Sequence, residues 1–282
     1  MKMLKRSRNA LLSQWEELLR LRLVVLKNCE HEDIHDLRVA SRRFRAALNL
    51  LGPLCAGNNV QKVTKIVRRL TRELGNLRNL DEALLFFGSC AGQTALTSLL
   101  NQLADMRESE RRKVIKALKG FRPGKLAPLV SGLAAGLKTK NIQKLGIPSL
   151  PSYLSNTSDG LFGNIQTLLP SALRPENSEE RHALRIAFKK LRYFLEIVSR
   201  IMERDCDAIL EQLKKYQTLL GSMNDMQVFA LLCSESGAPA EDLAAAEQII
   251  ILENARLFGE FVALVKAAPL DYTFPESNRS IS

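Results

Sequence analysis

An all-α fold of two tandem four-helix-type bundles with pseudo-twofold internal symmetry is what this 282-residue sequence predicts. Three observations carry that expectation. Apolar residues recur at helical spacing wherever the chain is periodic. No stretch of roughly four to eight residues shows the alternation and β-branched enrichment of a strand, and one pattern of charged residues occurs twice, about half a chain apart.

Taken in order, the first half predicts helices over 4–29, 33–51, 58–74, 78–88 and 93–119. Turns are expected at Gly52 and Pro53, at Gly57 to Asn59, at Gly75 and Asn76, and at Gly92. The second half predicts helices over 158–172, 179–203, 206–220, 223–235 and 239–266. Between the halves, residues 120–156 hold four prolines (Pro123, Pro128, Pro148, Pro151) and five glycines, which predicts a linker with one short helix near 126–138. The expected organisation is a first repeat over 1–120, a linker over 121–156, a second repeat over 157–268 and an aperiodic tail over 269–282.

Apolar residues make up 46% of the chain and charged residues 25%, a balance that supports a buried core and excludes a disordered chain. The five cysteines stand far apart, form no CxxC pair and are odd in number, which argues against a disulfide framework and a thiolate zinc site. They read as reduced thiols of a cytoplasmic protein. Near the N-terminus Glu16, Glu17, Arg20 and Arg22 interrupt the leucines, so neither a spanning helix nor a signal peptide is expected there, and no membrane partner.

Charge is segregated. Ten bases and one acid lie between Arg38 and Arg78, and nine bases and five acids between Arg181 and Lys215; these windows exceed the whole chain's net +11, so the remainder is near neutral. A field concentrated in this way attracts polyanions.

The duplication lies in the same windows. His35, Arg38, Arg42, Arg43 and Arg45 return at an offset of 147 as His182, Arg185, Lys189, Lys190 and Arg192. Arg68, Arg69, Leu74 and Gly75 return at an offset of 146 as Lys214, Lys215, Leu220 and Gly221. On a helix, His35, Arg38, Arg42 and Arg45 share one face, while Leu37, Ala40, Phe44, Ala47, Leu48 and Leu51 take the other. The second copy sets His182, Arg185, Lys189 and Arg192 against Leu184, Ala187, Leu191, Leu195 and Val198. Lys65, Arg68, Arg69 and Arg72 form a further basic face. Like charges at this spacing destabilise a helix by about 0.2–0.5 kcal/mol per pair, so an anionic ligand is expected to relieve them. Arginine's planar fork suits phosphate oxygens.

His35 and His182 open their helices, with Asp33 and Ser178 as expected N-caps, and each imidazole is a candidate donor to phosphate. His31, Glu32 and His35 also match HExxH, but His31 has Ser178 as its counterpart and no third histidine follows, so no metal is expected. Asn79, Asp81, Asn224 and Asp225 read as caps of following helices, or else as groups that orient the bases.

These motifs, HxxR with paired bases and a further Arg, and the block after Leu74 and Leu220, resemble the CHAD family, the conserved-histidine α-helical domain, over roughly residues 4–266. The resemblance implies two helical bundles about a pseudo-twofold axis, a basic groove or pore between them, binding of inorganic polyphosphate, and association with polyphosphate granules. By matching position, the implied binding residues are His35, Arg38, Arg42, Arg43, Arg45, Arg68, Arg69 and Arg72, with His182, Arg185, Lys189, Lys190, Arg192, Lys214 and Lys215 in the second copy. Glu211 and Thr218 replace the bases Lys65 and Arg72, which points to a stronger contribution from the first copy, and the family's acid after the first block is Asn79 here.

The motifs that would mark an enzyme, a Walker loop, a nucleophile elbow or a carboxylate cluster for magnesium, do not occur in the sequence, so a non-catalytic binder without cofactor is expected. Two alternatives use the same face. One is unspecific RNA or single-stranded DNA binding, for which Tyr193 and Tyr216 are the candidate stacking residues. The other is a scaffold gripping an acidic protein segment.

Overall fold

Periodic segments of the sequence become helix throughout. The computed structural model describes residues 2–55, 59–90 and 96–274, and among these are ten α-helices, one 3-10 turn and no strand. The helices are α1 (Lys2–Lys27), α2 (His31–Leu51), α3 (Asn59–Cys90), α4 (Thr97–Gly120), α5 (Pro123–Gly136), α6 (Thr139–Lys144), α7 (Leu150–Ala172), α8 (Ser178–Met202), α9 (Asp207–Ser236) and α10 (Ala240–Ala267). The 3-10 turn covers Gly52–Leu54. The turns expected at Gly57 and Asn58 and at Gly92, and the tail beyond residue 274, lie outside the described residues.

Successive helices pack on one another, α1 to α4 in the first half and α7 to α10 in the second. The halves meet where α8 packs on α1 and α2, and where α9 packs on α3 and α4. This arrangement is compatible with two four-helix units, and buried residues of both halves join one core cluster. The apolar stripes of the repeated helices are in it: Leu37, Phe44, Leu48 and Leu51 of α2, with Leu184, Leu191, Leu195 and Val198 of α8, are all buried. Each such side chain contributes about 1.5–3 kcal/mol. Trp15 of α1 bridges this core to the chain beyond α4, with ring centroids 5.4 Å from Phe44 and 6.1 Å from Phe121.

Two turns predicted from glycine do not form. Gly75 lies inside α3 and Gly221 inside α9, so each pair of expected helices is one continuous rod. The buried stripe runs straight through both positions: Leu70, Leu74, Leu77 and Leu80 in α3, and Leu213, Leu220, Met223 and Met226 in α9. Tertiary burial thus outweighs the roughly 1 kcal/mol that glycine costs a helix interior. By contrast, Gly52 answers a close approach, since a Cβ there would lie 2.7 Å from Val60 Cγ1. Gly237 ends α9 in the left-handed region, with φ of 72°.

The expected linker is mostly helical. Pro123 starts α5, which packs on α1 and α3, and α7 begins at Leu150 instead of residue 158 because Ser149 caps it, accepting from the Ser152 amide at 3.2 Å. The α2 and α8 caps also differ from expectation. Glu30 is the N-cap of α2 and Asp33, three residues in, accepts from the Glu30 amide at 3.3 Å; Asn177 precedes α8 and Ser178 is already helical. The chain enters both helices one turn earlier or at a neighbouring residue, leaving His35 inside α2 and not at its first turn.

Continuity of α9 makes a direct prediction. Gly221→Ala, whose Cβ would meet open space, raises stability to chemical denaturation by about 0.5–1 kcal/mol, whereas Gly237→Ala lowers it by about 1–2 kcal/mol. A destabilising Gly221→Ala would restore the turn.

Candidate functional site

Because α2 and α8 each seal the core with one stripe and pack against one another, their basic stripes face a common region. Arg38 and Arg42 of α2 and Arg185 and Lys189 of α8 sit close enough that each one's field acts on its neighbours. Burial first, then Arg42, Arg185 and Arg38, pushes the Lys189 amine down to about 6. Burial, with Arg42 and Arg185, brings Arg38 down to about 10. Arg45 extends the cluster toward α3: burial and then the charges of Arg68 and Arg42 lower its value. The Nε atoms of Arg38, Arg45 and Arg185 are buried with no acceptor among the described residues. Buried donors without acceptors carry a desolvation cost of about 1–3 kcal/mol each.

Among the described residues one acid faces these cations. Asp225 of α9 stands 4.0 Å from Arg185, favours the charged forms of Arg38 and Lys189, and is itself raised by burial. Beside it, Asn224 Oδ1 accepts from Arg185 Nη1 at 3.3 Å and meets His182 Nδ1 at 2.7 Å. With that oxygen as acceptor, His182 Nδ1 carries a proton, so its Nε2 can donate only in the imidazolium form. Asn224 and Asp225 therefore orient bases and are not caps, since α9 runs through them. Asp81 ties α3 to α4 through Arg107 at 2.6 Å, and Asn79 faces α4 and α9 in a separate cavity of about 440 Å³.

The first repeat is built differently. Where the duplication aligns Asn224 it has Arg78, which pairs with Glu82 and meets His31 Nε2. His31 Nδ1 faces Glu32 at 3.1 Å, so this end of the HExxH pattern is engaged with Arg78 and Glu32. Burial and then Arg78 lower the pKa of His35, which favours the neutral ring in the anion-free protein.

Several sequence candidates point elsewhere. Arg43 Nε and Arg192 Nε both reach Glu196, at 2.8 and 3.2 Å. Arg69 lines a different cavity, about 530 Å³ between α3 and α4, with Lys113 and Lys116. Arg72 is exposed 3.9 Å from Glu73, and Lys214 is exposed 3.8 Å from Glu211, with Lys215 also exposed. Of the two tyrosines offered for base stacking, Tyr216 is buried, stacked on Phe188 at 5.0 Å and bonded to Ala268 O at 2.6 Å, and Tyr193 is 8% exposed. Neither presents a free ring face.

Next to the cluster opens a cavity of about 420 Å³ between α2, α7 and α8. Arg42, Arg45, Lys189 and Lys190 supply its charge, and Leu50, Leu161, Ile186 and Phe194 its apolar wall. Tyr153 joins the wall and donates to Leu50 O at 2.8 Å, which fastens α7 to the end of α2. Sequence reasoning placed the start of α7 at residue 158 and read 150–156, which holds Tyr153, as linker; the Ser149 cap with Pro151 in the first turn was the available signal.

Comparison with protein families matches the CHAD domain model over residues 9–234. The chain belongs to the CHAD family. Two solved structures share this CHAD fold: the CHAD domain from the plant Ricinus communis and PptA from Streptomyces chartreusis. The first is 23% identical with a TM-score of 0.64, covering 95% of this chain and 88% of that one. The second is 17% identical with a TM-score of 0.68, covering 94% of this chain and 98% of that one. Curated proteins give no match. None of the helices described in this CHAD chain is long and apolar enough to cross a membrane.

Lys189 generates a stability prediction. Its folded-state value of about 6 lies below the unfolded lysine's ordinary value of about 10.4, so between these pH values the unfolded chain binds the proton more strongly. Stability of the anion-free protein therefore rises with pH across that window. Lys189→Met should raise stability at pH 7 by about 1 kcal/mol or more and flatten the dependence, as read by denaturant titration at several pH values.

Proposed function

We propose that this CHAD chain binds inorganic polyphosphate, without transforming it, in a basic groove or pore where α2 meets α8. What carries the reading is the convergence of Arg38, Arg42, Arg185 and Lys189 from both repeats, faced by Asp225, with guanidinium Nε donors that have no acceptor among the described residues. A polymer with one negative charge per phosphate satisfies several cations at once, and its oxygens accept from arginine forks. Burial makes each such contact stronger than it would be in water. Arg45 and Arg68 offer a continuation from α2 onto α3, a track that suits a long anion better than a compact one. Granule association, which family resemblance implies, is the cellular form of the same reading.

Nucleic acid shares the phosphate chemistry, but the burial of Tyr193 and Tyr216 removes the stacking faces that sequence-tolerant binders use. Competition between RNA and polyphosphate of equal phosphate content separates the two, with polyphosphate expected to win at physiological salt.

Calorimetric titration with polyphosphate of defined length tests the proposal. Six engaged cations should make affinity fall about a hundredfold or more between roughly 50 and 200 mM salt. Arg38→Glu with Arg185→Glu should weaken binding at least about a hundredfold with helicity unchanged. An unchanged affinity in that double variant rejects the site.

Bound phosphate favours the charged form of Lys189, so binding takes up a proton above about pH 6 and weakens as pH rises toward 8. Titrations in buffers of different ionisation heat should show this uptake, reduced in Lys189→Arg.

A further inference from the structure

We propose that the Lys189 amine is an acylation site for acyl phosphates, seated in the cavity between α2, α7 and α8. An acyl phosphate is a small molecule with a dianionic end and an apolar end. The cavity has both complements: Arg42 and Arg45 on one wall, Leu161, Ile186 and Phe194 on the other, with Lys189 lining the same space. A polyphosphate chain would need only the first wall.

A lysine is a nucleophile in its neutral form, and a desolvated amine beside other cations is the setting that produces it. Lys189 meets that condition on every side. Arg38 and Arg42 face it from α2 and Arg185 from its own helix, and burial is the larger influence. Asp225 of α9 opposes them without outweighing them. Lys190, Tyr193 and, from α7, Tyr153 complete the titratable lining of the cavity.

The step balances without a further reagent. The Lys189 nitrogen attacks the acyl carbonyl carbon, an N–C bond forms, and the C–O bond to phosphate breaks. Phosphate leaves with the electron pair and takes the amine proton, departing as hydrogen phosphate from the arginines that held it. The amide left behind cannot take up a proton. Acylation therefore removes the amine that bound polyphosphate would protonate, and where the polyphosphate reading holds it lowers affinity for that polymer; the acylation itself does not depend on the reading.

Acetyl phosphate is the probe. The full chain is incubated with it at pH 7.5 and peptide masses are followed with time. Lys189 is expected to be acetylated about tenfold or more faster than Lys190 and Lys214 in the same molecules, with a rate that levels off above about pH 6 to 7 while theirs keeps climbing. Arg42→Gln should lower the Lys189 rate with acetyl phosphate more than the rate with a neutral N-hydroxysuccinimide acetate. A Lys189 rate no higher than that of Lys190 overturns the site, and equal loss with both reagents overturns its preference for acyl phosphates. Should Lys189 lead but polyphosphate fail to protect it, the acylation site stands and the polyphosphate reading falls.

Discussion

Repulsion among Arg38, Arg42, Arg185 and Lys189 is the interaction on which the rest of this CHAD structure turns. Each of α2 and α8 must turn its leucine stripe inward to close the core, and once both do so their cations have to face one another. Hydrophobic burial along two helices of 21 and 25 residues is large enough to hold them there. The fold thus maintains an unfavourable concentration of charge that the free side chains would disperse. On the proposed function, such a preorganised site gives up stability to be ready for an anion, a trade common where function requires it.

The two repeats do not carry equal parts of this arrangement. Asn224 and Asp225 give α8 an orienting amide and an acid, while the first repeat holds Arg78 and Asn79 at the aligned positions. Asp225 consequently acts on Arg38 as well as on Arg185, one carboxylate serving both halves. Arg78 turns to Glu82 and His31, and its charge adds to burial in keeping His35 neutral. A duplicated sequence has become an asymmetric site, with arginines weighted to α2 and the acid supplied by α9.

Proximity in sequence to a basic residue is therefore a poor guide to a shared site. Arg42 and Arg43 are adjacent, yet the first faces Lys189 and the second crosses to Glu196. Adjacent helical residues are about 100° apart, and here that angle separates the cluster from an ion pair. Likewise Arg68 couples to Arg45 while Arg69 turns toward α4.

Fold class, the extents of α1, α2, α8 and α10, the duplication and the inward stripes of α2 and α8 were legible in the sequence, because helical periodicity is a local property that burial reinforces. Gly75 and Gly221 were misleading for the opposite reason: their local cost to a helix is about 1 kcal/mol, and the buried residues on either side that outweigh it become visible only when other helices are in place. The same holds for α7, whose first turn is fastened by Tyr153 to Leu50, more than a hundred residues earlier in the chain. By itself the sequence determined which residues are cationic and which helix faces they share. Tertiary structure alone decided which cations meet, which are neutralised by Glu196, and that Asp225 stands among them, since electrostatic coupling depends on distances that no spacing along one helix encodes.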